Sequence, residues 1–301
     1  PRSTPKPSSA ASDVYKRQLT DTQDFMAHCG RSVSGCTVTA PNLDFSGTNT
    51  LYRMFYRACV KADSDVSNWT LNASGVSLAR FFYESGTFSS PTFSGVTELD
   101  MSTWNNTSGI TNMQYFAQNG NAVKTINVTN WDTSNVTNMF RAFYQCMQLE
   151  EIIGLSTIDI SSVVNAERMF YNTRKLKFDN HNFGTSWNNW AAVTSSFNSF
   201  FYRNGYSLSA GNRGVPPTIA DWSMPNATSN AHELFREANY APGSTITINW
   251  NYPNCTSLQN AFYIIDGLTT LNVNMTTTNA LTNMLNFARQ SPSSVSYTHL
   301  T

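Results

Sequence analysis

The chain has 301 residues with acidic and basic side chains in equal number, 13% charged, 13% aromatic and 40% hydrophobic. That apolar content argues against wholesale disorder, no apolar run approaches the ~18 residues of a membrane span, and the even charge lacks the basic footprint of a nucleic-acid binder. A soluble, folded segment is expected.

The first 18 residues are set aside from fold reasoning. Ser8 to Gln18 reads SSAASDVYKRQ, the in-frame translation of a common sequencing-library adapter, and Val295 to Thr301 reads VSYTHLT, which fits the reverse complement of that adapter. Residues 1–18 and 295–301 are therefore expected to be adapter-derived, and the segment to be a metagenomic fragment whose natural termini, signal peptide or anchor lie out of view. Without these ends the charge becomes 15 basic against 18 acidic residues, about −3.

Residues 19–42 read as an N-terminal cap region. Asp21 and Thr22 precede Phe25, Met26 and His28 as capping candidates, so a short helix is expected there. Cys29 and Cys36, seven residues apart, are either a disulfide suited to an extracellular compartment or two neighbouring free thiols. Cys59, Cys146 and Cys255 read as small buried apolar residues.

Residues 43–290 carry a recurring phrase, clearest as SNVTNMFRAFYQC from Ser134 to Cys146. With Met139 as anchor, equivalents fall at Leu51, Leu78, Met113, Ala166, Phe197, Ala231, Leu258 and Met284, spaced 26 to 35 residues apart. About nine units of that period mean a stacked repeat architecture. Within one unit, Ile126 and Val128 alternate with polar neighbours as in a half-buried strand, a pattern repeated by Leu99/Met101, Ile158/Ile160, Ile246/Ile248 and Leu271/Val273. Trp131 follows, with Trp69, Trp104, Trp222 and Trp250 in similar places. Val136, Met139, Ala142 and Phe143 then match one face of a short helix. The expected fold is an α/β right-handed repeat solenoid with one short strand and one short helix per repeat and a parallel strand ladder. Trp, Phe and Met recur too strictly to be anything but core. The last unit ends without an evident cap, so its apolar end is expected to be open.

The phrases NWDTSNVTNMFRAFYQC and ELDMSTWNNTSGITNMQYF resemble the repeat of about 26 residues found in bacterial surface proteins of the BspA-like leucine-rich-repeat group. The resemblance covers roughly residues 43–290, is specific around Trp131, Val136 to Met139 and Phe143-Tyr144, and weakens around 176–214, where Trp187 and Trp190 sit off register. It implies a leucine-rich-repeat-like solenoid displayed outside the cell for adhesion or protein binding, with no catalytic residues to carry over.

No nucleophile, zinc or phosphate motif surrounds His28, His181 or His232, so no catalytic residue, metal site or cofactor is expected, and the chain reads as a non-enzyme. Candidate binding residues are the polar positions between buried strand residues: Asp100, Asn127, Asp159, Thr247 and Asn272. Alternation turns them outward in line along the ladder, where they form either a binding face or a merely solvated one. The expected partner is a host or neighbouring-cell protein or glycan, with no nucleic acid and no membrane contact by this segment. The expected location is extracellular or at the cell surface. A virion or phage tail component recognising a host, and a carbohydrate-active β-helix, are the alternatives.

Overall fold

A computed structural model describes residues 22–29, 35–58, 60–61, 63–85, 98–121, 123–228, 230–276, 281–291 and 294–300. Cys59, Asp21 and the adapter-like residues 1–18 lie outside the described residues. The chain winds as a parallel β-solenoid in which each coil hydrogen-bonds to the next.

Three rows of strands are formed, all by parallel pairing. β1 (Val76–Ser77) pairs with β3 (Ile110–Asn112). β2 (Glu98–Asp100), β4 (Thr125–Asn127) and β5 (Glu151–Ile153) form a second row that sets Leu99, Ile126 and Ile152 in register. β6 (Asn239–Asn251), β7 (Asp266–Thr276) and β8 (Ser294–Leu300) form the third, with Ile246 against Leu271 and Ile248 against Val273. Between the rows single parallel bridges continue the ladder, as in Asn112 to Asn138 to Asn165. β8 is the adapter-like segment. An exposed strand edge offers N–H and C=O groups to any extended chain, and β8 meets β7 from Thr270–Ser294 to Thr276–Leu300 while Val295 stays exposed.

The expected α/β, leucine-rich-repeat-like fold with a helix in every repeat is overturned. Among the described residues there is no α-helix, and helical geometry is confined to four short 3-10 turns at Thr107–Gly109, Leu155–Thr157, Thr185–Asn188 and Ala210–Asn212. The Met139-to-Cys146 stretch is a run of tight turns. The N–H groups of Ala142, Tyr144 and Cys146 close onto the carbonyls of Met139, Arg141 and Phe143, while those of Arg141, Phe143 and Gln145 donate to Glu167, Met169 and Tyr171 of the next coil. Left-handed backbone at Arg141 (φ 53°) and Gln145 (φ 57°) makes this alternation possible. The same pair of left-handed positions recurs at Arg53/Arg57, Arg168/Asn172, Glu233/Glu237 and Asn260/Ile264. A left-handed L-residue costs roughly 1–2 kcal/mol; each is offset by an inter-coil hydrogen bond of about 1 kcal/mol and by burial of the Met and Phe beside it. A helix of eight residues would direct its N–H groups along its own axis, would not bond to its neighbours, and is marginal at that length.

Residues 22–29 are also a coil of this kind, not a helix. Asp24, Met26 and His28 donate to the carbonyls of Tyr52, Met54 and Tyr56, and Asp24 and His28 take the left-handed positions. The stack therefore extends into the stretch expected to be a cap. Cys29 and Cys36 are disulfide-bonded across a Cα separation of 6.2 Å, which ties the end of that turn run to Cys36 in the same coil, itself bridged to Val60 of the next.

The anchors Leu51, Leu78, Met113, Met139, Ala166, Phe197, Ala231 and Leu258 are buried, whereas Met284 in the last described coil is half-buried and Leu285 is exposed. Tryptophans form an interior ladder in two runs, Trp69 to Trp131 and Trp187 to Trp250. The indole N–H of Trp69, Trp104, Trp131, Trp187 and Trp250 each donates to a carbonyl of an earlier coil, those of Ala40, Val66, Met101, Leu155 and Ile219. Trp69, Trp104 and Trp131 stack at 4.9 and 5.5 Å, and Trp222 stacks on Trp250 at 5.6 Å. Trp187 thus belongs to the ladder, and Trp190 is an extra indole wedged edge-on against it at 5.5 Å. Cys146 and Cys255 are buried free thiols whose burial pushes both up to about 12.

Candidate functional site

The coils present two outward surfaces, a strand face and a turn face. On the strand face, alternation turns Asp100, Asn127, Thr247 and Asn272 outward between buried neighbours. The structure brings them together as two pairs: Asp100 opposite Asn127, and Thr247 opposite Asn272. Asp159 does not join either. The strand of its coil is Glu151–Ile153, so the position in register with Asn127 is Ile153. Asp159 sits instead at the corner occupied one coil earlier by Asp132, where its N–H donates to the Thr133 hydroxyl oxygen at 2.8 Å. Gly154, left-handed at φ 87°, breaks the chain between Ile153 and the Ile158/Ile160 pair, which is why that apolar alternation is not a strand.

Asp100, Asn127 and the corner residue Asp159 are engaged with their own backbone, whereas the Asn272 amide reaches the Thr247 hydroxyl across the coils at 3.5 Å. Asp100 Oδ1 accepts from Ser102 N–H at 2.9 Å, Asn127 Oδ1 from Thr129 N–H at 3.0 Å, and Asp159 Oδ1 from Ser161 N–H at 2.8 Å. These are side-chain mimics of a backbone turn, the favoured local use of Asp and Asn. A shallow hollow of about 180 Å3 lies over Asp100, Asn127 and Glu151.

The turn face is different in composition. Two side chains of every four in a turn run point outward, and down the stack they form columns. The column five residues after the anchors holds Tyr56, Tyr83, Tyr144, Tyr171, Tyr202 and Tyr263. Tyr144, Tyr171 and Tyr202 stack face to face at 4.6 Å, with planes 13° and 15° apart, and Tyr56 stacks on Tyr83 at 5.8 Å. Two residues after the anchors stand Arg53, Arg80, Arg141 and Arg168. Arg53 lies 4.0 Å over the Tyr56 ring, Arg80 is 5.3 Å from Tyr83 and 5.1 Å from Tyr115, and Arg141 is 4.9 Å from Tyr144.

Carboxylates lace part of this surface. Arg57 pairs with Glu84 at 2.6 Å, Arg203 with Glu237 at 2.7 Å, and Arg236 with both Glu233 and Glu237. The Glu84 hydrogen bond raises the Arg57 guanidinium further above its ordinary value. Arg141 has no carboxylate partner among the described residues, and its Nε is buried without a hydrogen bond. Burial raises the phenols of Tyr171 and Tyr202, so both stay neutral at physiological pH. Because the rings cover one another's faces, what the tyrosine row offers outward is ring edges and hydroxyls at a spacing close to the ~4.8 Å of paired strands.

Residues 89–210 match a family model, and the family is described as Mycoplasma protein of unknown function, DUF285. No curated protein and no solved structure matches the chain. The DUF285 stretch covers less than half of the sequence, and its description assigns no activity. It does contain the best-ordered part of the turn face, from Tyr115 through Arg141, Tyr144, Arg168 and Tyr171 to Arg203. The BspA-like leucine-rich-repeat assignment is not confirmed; a DUF285-type repeat solenoid is what the match and the structure together support.

The turn-face residues are the ones that sequence reasoning missed. Their signal was present as an Arg two residues, and a Tyr five residues, after successive anchors. It was absorbed into the interior because the neighbouring Phe of each Phe-Tyr pair is buried.

Proposed function

We propose that the chain is a protein-binding solenoid of a bacterial surface protein, and that the turn face makes the contact. The single observation behind this reading is the concentration of six column tyrosines and four arginines on the turn face of successive coils. Tyrosine and arginine are the residues that dominate binding hot spots. Here they are held by stacking, cation–π contacts and ion pairs, so little side-chain freedom remains to be lost on association. The BspA-like phrases support display outside the cell, and the Cys29–Cys36 disulfide suits an oxidising compartment. The strand face is the weaker candidate, since its Asp and Asn groups already serve its own turns.

The test is binding of the purified chain to an array of extracellular-matrix and cell-surface proteins, repeated with Arg141→Gln, Tyr171→Ala and the strand-face variant Asn272→Ala. A bound protein that loses about thirtyfold or more in affinity with the turn-face variants, the hot-spot scale of ~2 kcal/mol, and little with Asn272→Ala is the expected result. Equal losses on both faces, or turnover of a glycan by residues 19–294, would sink the proposal.

A further inference from the structure

On the turn face, four successive coils enclose a hollow of about 180 Å3, lined by Arg168, Asn198, His232, Glu233, Gln259 and Asn260 with Ser199. Its three amide side chains are all held the same way round. Asn198 Oδ1 accepts the backbone N–H of His232 at 3.0 Å, which fixes that amide. Asn283 uses its own oxygen for Leu285 N–H, so its Nδ2 is the donor that engages Gln259 Oε1 at 3.1 Å. Asn286 Oδ1 accepts from Arg289, so its Nδ2 is likewise the donor to Asn260 Oδ1 at 3.1 Å. Each carbonyl thus already accepts one hydrogen bond, and the NH2 groups of Asn198, Gln259 and Asn260 have no protein partner among the described residues.

The remaining groups tilt the hollow the same way. Arg168 brings a guanidinium whose Nε is buried without a hydrogen bond, standing 3.5 Å from Glu167. Glu233, the one carboxylate in the lining, has both oxygens taken, one by Arg236 and one by the Ser199 hydroxyl at 3.2 Å. His232 Nε2 lies 2.6 Å from the hydroxyl of Ser257, a buried residue that holds the ring in place. Unspent donors therefore outnumber unspent acceptors, and the one buried N–H among them, Arg168 Nε, costs ~1–3 kcal/mol without a partner.

We infer that this hollow is a binding site for one anionic sugar residue of a glycan, its carboxylate or sulfate on Arg168 and its ring oxygens and hydroxyls on the three amides. Guanidinium forks match both acids. The volume lies well under the ~300–1,000 Å3 of sites for drug-sized molecules, which suits a single pyranose. An aspartate or glutamate side chain of a protein partner would satisfy Arg168 but leave the three amides, on two other coils, unmatched. The inference deepens the reading of the turn face as a recognition surface and rests on it.

The experiment is calorimetric titration of the whole chain with a glucuronate-containing tetrasaccharide, a sulfated tetrasaccharide and neutral cellotetraose. At least tenfold tighter binding of an anionic sugar than of the neutral one is expected, and preference for one acid identifies the group that Arg168 takes. Gln259→Glu keeps the oxygen that Asn283 needs while exchanging a donor for a negative charge. It should weaken the anionic sugar at least tenfold at unchanged melting temperature, with Arg168→Gln as the second variant should Gln259→Glu not fold. No binding at millimolar sugar, equal affinity for cellotetraose, or indifference to both variants overturns the inference. If protein binding sensitive to Tyr171→Ala persists while no sugar binds, the hollow alone was misread; if both are absent, the turn-face reading fails with it.

Discussion

On the strand face, Asp100 and Asn127 bond downward to the backbone two residues on, as Asp159 does at its corner. On the turn face they bond sideways to other side chains in neighbouring coils, as in Arg57–Glu84 and Arg203–Glu237. Both faces cover the same tryptophan and phenylalanine interior, so the difference is not one of stability supply. One face spends its polar atoms on shaping corners, and the other holds charged and aromatic groups in fixed positions with edges still free. The teaching is that outward position alone does not make a binding surface; the destination of each polar atom decides.

The two faces also handle left-handed backbone differently, which gives the largest expected effect. On the strand side one such position is Gly154, where an added Cβ would lie 2.6 Å from the Thr129 nitrogen and 2.8 Å from its Cα in the preceding coil. On the turn face the position is taken by residues such as Gln145, whose side chain points outward at φ 57°. Gly154→Ala should cost about 2–4 kcal/mol through backbone overlap and strain. Gln145→Gly should change stability by no more than about 1 kcal/mol, relief of strain being offset by the greater freedom of glycine in the unfolded chain. Urea denaturation measures both. Similar costs at the two positions would erase this distinction.

The resemblance between turn runs and helices explains what was and was not legible in the sequence. From Met139 to Cys146 burial follows a period of four, with Met139, Ala142, Phe143 and Cys146 inside and Phe140, Arg141, Tyr144 and Gln145 outward. Over eight residues that period is hard to distinguish from 3.6, so the interior residues were identified correctly on the wrong backbone. Left-handed positions usually announce themselves as Gly or Asn. Here Asn119, Asn172, Asn260 and Asn286 do so, but Arg53, Arg141 and Glu233 do not. Solenoid stacking, the tryptophan ladder and the outward placement of Asn127 and Asn272 follow from spacing and alternation. Asp159 was misplaced because Ile158 and Ile160 alternate as a strand would, while the pairing segment Glu151–Ile153 lies before a glycine that ends it.

An intermediate effect is expected where polar side chains staple turns. Asn138 Oδ1 accepts from Phe140 N–H at 3.0 Å, and the Asn112–Asn138–Asn165 column links three coils. Asn138→Ala should cost about 1 kcal/mol, the net value of one such bond. At the corner of the preceding segment Asp132 does the same job in ionised form, and the Ser134 hydroxyl, then its N–H, hold the carboxyl below its ordinary value. A depressed carboxylate contributes stability that is present above the unfolded-state value, about 3.9, and is lost as pH falls through the lower folded value. Melting temperature measured from pH 6 down to 2 should therefore fall more steeply for the wild type than for Asp132→Asn, which keeps the acceptor oxygen and removes the charge. Superimposable profiles would mean that the staple does not depend on ionisation.

The smallest stability effect should come from the turn face, and it separates the two surfaces most cleanly. Tyr171 stacks between Tyr144 and Tyr202 at 4.6 Å on each side, and its hydroxyl has no hydrogen-bond partner among the described residues. Tyr171→Phe preserves both stacking contacts and removes only that hydroxyl. Its effect on unfolding free energy should lie within about 0.5 kcal/mol, the range for surface changes that break no named interaction. If the row of phenol edges is what a partner reads, the same variant should still weaken binding, because the partner's group opposite the hydroxyl is left without its bond. Asn127→Ala should behave in the opposite sense, costing about 1 kcal/mol of stability through its lost turn bond while leaving affinity in place. A Tyr171→Phe variant that melts several degrees lower and binds normally would reverse the roles assigned to the two faces.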